Sequence, residues 1–141
     1  MLLPRVIFTT FCLSAFLVLP SCEDTSEKTQ AGIIGHWELT KALRNERETG
    51  TLEGVYFDFG PDGKMKTNLP VGAEVPVDYE VDKSIIIQKT PQPIRYQAVT
   101  IKDSLLVLQL EMRGMTFEMH MRRAEAPADT LVVPPADTTQ Q

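Results

Sequence analysis

Val55-Tyr56-Phe57-Asp58-Phe59-Gly60-Pro61-Asp62-Gly63-Lys64-Met65-Lys66-Thr67-Asn68-Leu69 carries the clearest structural signal in the chain. Val55, Phe57 and Phe59 alternate with Tyr56 and Asp58, the period of two that a strand shows when one face is buried. Gly60-Pro61-Asp62-Gly63 then puts Pro and Gly where a tight turn uses them. The chain returns through residues 64–69. This predicts a hairpin, and an antiparallel one, because a short turn joins only antiparallel neighbours.

The same grammar extends in both directions. Upstream, Trp37 and Leu39 alternate with Glu38 and Thr40. Downstream, Val77, Tyr79 and Val81 alternate with Asp78, Glu80 and Asp82, and Lys83-Ser84 turns that strand into Ile85-Ile86-Ile87-Gln88, with Ile85 and Ile87 expected inside. Residues 94–101 read as a strand of mixed phase, with Tyr96 and Ala98 on one face and Val99 and Ile101 on the other, a pattern that a β-bulge produces. Lys102-Asp103-Ser104 leads into residues 105–111, and Met112-Arg113-Gly114 leads into 115–123. No stretch sustains a helical period. Eight strands over residues 33–123 give about 11 residues per strand and turn, the spacing of a sandwich or barrel. A meander of this kind has two exposed edges, and pairing the first strand with the last removes both. The expected fold is therefore all-β, an eight-stranded antiparallel up-and-down barrel.

The ends of the chain read differently. Residues 1–21 have one positive charge at Arg5, an apolar run from Val6 to Leu19 and a small residue, Ser21, before Cys22. That run falls short of the ~20 residues a membrane-spanning helix needs and follows the plan of a secretory signal. Leu19-Pro20-Ser21-Cys22 resembles a bacterial lipobox, although Pro20 departs from its usual small or aliphatic residue. The resemblance implies a lipoprotein acylated on Cys22 in the envelope of a Gram-negative bacterium, at the outer membrane. Cys12 then leaves with the signal, and the mature chain has no disulfide. Residues 22–32 are polar and read as a flexible tether. Within them Glu23-Asp24 resembles an export signal that places lipoproteins on the cell surface, the alternative being a plain solvated linker. Residues 124–141 repeat Pro-Ala-Asp-Thr and are expected to be a disordered Pro/Thr-rich tail. There Thr130 and Thr138 sit in short Asp-Thr patterns that resemble O-glycosylation acceptors.

Within the predicted barrel, Ile33-Ile34-Gly35-His36-Trp37-Glu38-Leu39 resembles the opening of the lipocalin-like domains of bacterial lipoproteins. The resemblance covers residues 33–123. It implies that Gly35 and Trp37 start the first strand, that Trp37 closes the base of the barrel, and that a basic residue late in the last strand packs across it. Arg123 has that position, on the same parity as Phe117, Met119 and Met121. It also implies a ligand cavity, to which we assign Phe57, Phe59, Tyr79, Tyr96, Leu108, Met115, Phe117 and Met119. The two tyrosines would offer hydroxyls to a head group. An eight-stranded barrel is just wide enough either to be filled by side chains or to hold one small ligand.

The full chain has 141 residues, with 14 Lys+Arg against 19 Asp+Glu for a formal charge of -5. Residues 33–123 are nearly neutral and form no basic stripe, which argues against nucleic-acid binding. With two His and two Cys in the chain, an all-protein metal centre would need nearly every soft ligand. His36 and His120, on the outward faces of the first and last strands, are the only pair that closure could bring together, and no metal or other cofactor is assigned. No Gly-x-Ser-x-Gly elbow, Walker loop or His-Glu-x-x-His occurs, and no catalytic residue is assigned. Two readings follow. One is a membrane-anchored, monomeric lipocalin-like protein that takes a small hydrophobic or amphipathic ligand through a mouth formed by residues 44–53 and 70–76. The other is a non-enzymatic interaction module with a filled barrel, an envelope-assembly accessory or inhibitor.

Overall fold

A computed structural model describes residues 25–125. The elements in chain order are α1 (Thr25–Ile33), β1 (Gly35–Arg44), β2 (Arg47–Glu48), β3 (Tyr56–Phe59), β4 (Lys64–Thr67), β5 (Val77–Asp82), β6 (Ile85–Gln88), β7 (Ile94–Ile101), β8 (Leu105–Met112) and β9 (Met115–Ala124). The expected signal segment, Cys22, Thr130, Thr138 and all but the first two residues of the expected tail lie outside the described residues.

Strands β3 to β9 pair antiparallel with their neighbours in sequence order, and β1 pairs with both β3 and β9. Eight strands thus form a closed antiparallel barrel. The closing seam is long, with positions from His36 opposite Ala124 to Arg44 opposite Phe117. The two-residue β2 is a stub that folds back on the end of β1. Asn45 and Glu46 between them have φ of 48° and 66°, the two left-handed residues of a primed hairpin turn.

Alternation carries the core. Trp37, Phe57, Phe59, Met65, Tyr96, Leu106, Leu108, Met119 and Met121 point inward and are fully buried. Phe57 meets Tyr96 edge-on at 5.3 Å, and Phe59 meets Tyr79 in the same way at 5.5 Å, the geometry that aromatic quadrupoles favour. The phase of β7 is broken by a register shift between Ala98 and Thr100, the bulge its sequence suggested. A second shift, between Leu39 and Lys41, lets β1 stay paired with β9 as far as Arg44.

Two expectations are corrected. In β6 the inward residues are Ile86 and Gln88, both fully buried, while Ile85 is only partly buried and Ile87 lies outside the core cluster. Three successive isoleucines hold no alternation, so the phase comes from the partners: Val81 and Tyr96 both stand opposite Ile86. Residues 25–32, expected as part of the tether, and Ile33, expected as the first residue of the barrel, form α1. The helix lies against the base of the barrel with Thr29 and Ile33 buried, and Ser26 Oγ accepts a hydrogen bond from the Lys83 amide at 2.8 Å in the β5–β6 turn. A Cβ on Gly32 would come within 2.6 Å of Ile101 Cγ2, so glycine is what lets the helix seat closely on β7.

Arg123 ties helix, base and seam together. Its guanidinium carbon lies 4.3 Å from the centre of the Trp37 ring. Nε donates to the Asp103 carbonyl at 2.7 Å, Nη2 to the Gly32 carbonyl at 3.2 Å, and Nη1 to the Ile34 carbonyl. The Trp37 indole N–H donates to the Ile33 carbonyl at 2.7 Å. Carbonyls at the end of a helix lack intrahelical partners, and these two side chains supply them. Gly35 has φ of 132°, and a Cβ there would lie 2.3 Å from Arg123 Nη1. Replacing Arg123 by Ala is expected to lower the unfolding free energy by about 2–4 kcal/mol, from the lost stacking and charge-assisted hydrogen bonds. Urea denaturation measures that loss, and hydrogen exchange should register α1 opening first.

Candidate functional site

Antiparallel strands send their connections alternately to the two ends of a barrel. The turns at residues 60–63, 83–84 and 102–104 share the base with α1, Trp37 and Arg123. The connections at residues 45–55, 68–76, 89–93 and 113–114 form the opposite end, the mouth. There the described residues line an open cleft of about 950 Å³ between the loop at Val71 and Gly72, the 90–95 segment and the β8–β9 turn. Its apolar wall is Val71, Ile94, Leu110 and Met112, and its charged rim is Arg95, Glu111 and Arg113. The 70–76 loop anticipated as one side of the mouth does contribute. The 44–53 loop also lies at this end but does not line the cleft, whose other side is the β8–β9 hairpin and the segment before β7.

The residues assigned to a cavity on resemblance form the packing beneath this cup. Phe57, Phe59, Tyr79, Tyr96, Leu108, Phe117 and Met119 are buried in one cluster, and Met115 is partly buried against it. Neither tyrosine hydroxyl is free: that of Tyr79 donates to the Gly60 carbonyl at 3.2 Å, and that of Tyr96 to Gln88 Oε1 at 3.0 Å. Burial pushes both phenols above their usual range, so both remain protonated donors at neutral pH.

Gln88 is the residue that the alternation pattern missed. It stands opposite Ile94, a wall residue of the cup, and is fully buried. Because Tyr96 donates to its Oε1, the amide nitrogen is turned away, and Nε2 has no hydrogen-bond partner among the described residues. An orphaned buried donor costs roughly 1–3 kcal/mol, so this polar position under an otherwise apolar cup is a feature that packing alone does not favour. The signal was present in the sequence: the two-residue Lys83-Ser84 turn puts Val81 opposite Ile86, and counting on from there points Gln88 inward.

The outward faces of β1 and β9 hold the two histidines apart, with His36 buried there. His36 faces Ala124 and His120 faces Lys41 across the seam, so the four residue steps along β9 between these positions separate them by about 13 Å at ~3.3 Å per residue. Each has its own carboxylate partner. His36 Nδ1 pairs with Asp58, whose other oxygen is 3.7 Å from Lys66 Nζ. His120 Nε2 lies 2.6 Å from Glu118 Oε1. Among the described residues no group of three or more His, Cys, Asp or Glu is arranged to hold a metal ion.

Glu118 accepts hydrogen bonds from Gln109 Nε2 at 3.0 Å and from His120, and these hold its carboxyl below the ordinary value of 4.5. A depressed folded-state value means that the carboxylate stabilises the fold above pH 4.5 and that this contribution is lost as pH falls through the lowered value. Glu118→Gln is therefore expected to lower the denaturation midpoint at pH 7 and to shrink the difference between pH 7 and pH 3. For the buried pair, Tyr96→Phe removes the Tyr96 donor to Gln88 Oε1 and is expected to cost about 1–3 kcal/mol. The Tyr96→Phe/Gln88→Met double variant, which leaves no orphaned polar atom, is expected to recover most of that loss in a urea double-mutant cycle. Compared with known proteins, the chain matches no family model, no curated protein and no solved structure.

Proposed function

We propose that this protein is a membrane-anchored, non-enzymatic lipoprotein of the lipocalin-like kind, held by acyl chains on Cys22 at the outer membrane of a Gram-negative cell, that binds a small hydrophobic or amphipathic molecule in the cup at its mouth. One observation carries the reading: a closed barrel whose interior is filled by a buried core has an open, largely apolar cleft of about 950 Å³ at the end away from the N-terminal helix. Ligand sites are concave, mostly apolar and furnished with a few polar groups. Val71, Ile94, Leu110 and Met112 supply apolar surface, and Arg95 and Arg113 supply donors at the rim. Met112 is unbranched and soft, a side chain that adapts to varied apolar shapes. The ligand in this reading lies across the mouth and does not thread the tube.

The packed interior also supports the second reading, an interaction module whose mouth loops meet another protein. Val75, 68% exposed in the 68–76 loop, is the apolar side chain that such a contact would cover.

Native mass spectrometry of the purified mature protein separates the two. A bound amphiphile is expected as a discrete added mass, absent from an Ile94→Arg variant that fills the cup with charge. A wild-type protein that remains at its bare mass after incubation with envelope lipid extract rejects the ligand-binding reading in favour of the interaction module. Cys22→Ser is expected to abolish palmitate incorporation and release the chain from the membrane fraction.

A further inference from the structure

The cup and the proposed anchor lie at opposite ends of the barrel, and the link between anchor and barrel is short. If residues 22–32 were a flexible tether, the barrel could turn in any direction above the membrane. The fold removes most of that freedom. Thr25 begins a helix whose first turn is bonded to the Lys83 amide through Ser26. The far end of that helix is held by Trp37 at the Ile33 carbonyl and by Arg123 at the Gly32 carbonyl. The helix therefore crosses the base from the β5–β6 turn to the β1–β9 seam as part of the barrel.

Only the three steps from Cys22 to Thr25 remain between the lipid-bearing residue and this fixed body, a reach of about 11 Å even when fully extended. The mouth is farther away than that. Strand β9 has 10 residues, about 33 Å of extended chain, or roughly 25 Å along the axis at the usual barrel tilt. A link of about 11 Å attached at the base cannot lift the base by the roughly 25 Å needed to turn the opening over to face the headgroups.

We propose that the base, with α1 and the turns at residues 83–84 and 102–104, rests on the headgroup surface of the membrane that anchors the chain, and that the cup opens into the aqueous phase. This rests on acylation of Cys22 as set out above. Charge does not decide the matter, since Lys83 and Lys102 stand on the base beside Asp82 and Asp103; the length of the link does. The consequence for binding is direct: a ligand reaches Ile94 and Leu110 from solution or from a carrier protein, without passing through the anchoring leaflet.

The mature chain offers no free thiol once Cys22 is acylated, so a single introduced cysteine can be labelled uniquely. Acylated Lys102→Cys and Glu74→Cys variants, each carrying a fluorophore, are added to preformed phosphatidylcholine/phosphatidylglycerol vesicles containing headgroup-nitroxide lipid. The Lys102→Cys label, at the base, is expected to be quenched, and the Glu74→Cys label, in the 68–76 loop at the mouth, is expected to keep its intensity. A Gly/Ser insert of about 20 residues between Asp24 and Thr25, reaching roughly 25 Å, is expected to remove the contrast. Equal quenching of the two labels in the chain without the insert, or stronger quenching of Glu74→Cys, overturns the orientation while leaving anchoring intact. A chain without acyl mass on Cys22 that does not float with the vesicles overturns the anchoring reading and the orientation with it.

Discussion

A planar guanidinium laid on an indole ring holds the base of this barrel together. Arg123 reaches Trp37, the Asp103 carbonyl and two carbonyls at the end of α1 in one fixed fork. A lysine in its place would offer a single point of attachment on a flexible stem and could not meet these directions at once. The arrangement explains why β1 begins where it does. Gly35 is needed because the Arg123 side chain passes where a Cβ would stand, and the bent backbone at that glycine ends the helix and turns the chain into the seam. With the seam fixed at Trp37 opposite Arg123, the inward parity of β1 and β9 is set, and Met119, Met121 and Phe117 follow into the core.

The strands were legible because each hydrophobic residue in them had a polar neighbour to mark its phase. Val55 to Phe59 and Val77 to Asp82 could be oriented without a structure. Ile85-Ile86-Ile87 could not, since an all-apolar run is silent about which side faces in, and the phase had to come from Val81 across the turn and Tyr96 across the ladder. The helix was hidden for a different reason. Its nine residues, TSEKTQAGI, contain one large apolar side chain and no amphipathic stripe, and a helix of that length is not stable alone in water. It forms because Ile33 and Thr29 find a surface to cover and because Trp37 and Arg123 take up the carbonyls at its end, all of which are tertiary facts.

The candidate site was less legible than the fold. Resemblance placed the ligand among Phe57, Tyr96 and Met119 in the tube, but aromatic rings and long thioethers occupy that space themselves. In a barrel of eight strands the interior is only about as wide as the side chains that line it, so large residues at most inward positions leave no room there. Space remains where pairing ends. The loop at residues 68–76 and the segment at 89–93 carry Pro70, Pro76, Pro91 and Pro93, which cannot donate to a ladder, and no alternation predicts how such segments stand apart.

The cup can be traced to unequal wall heights. Strands β3, β4 and β6 have four residues each, while β8 has eight and β9 and β1 have ten. At the mouth, paired sheet therefore continues on the β8–β9 side to Met112 and Met115, while on the β4–β6 side irregular loops complete the wall. The cavity lies between those two kinds of wall, one rigid and one built of loops joined by few backbone hydrogen bonds. A cleft of this form keeps its floor fixed by the core and adjusts at its loop side, so changes in residues 70–76 or 89–93 alter the shape of the cup without disturbing Trp37, Arg123 or the closure they maintain. That separation lets one small barrel hold its fold at one end while the shape of the cleft varies at the other.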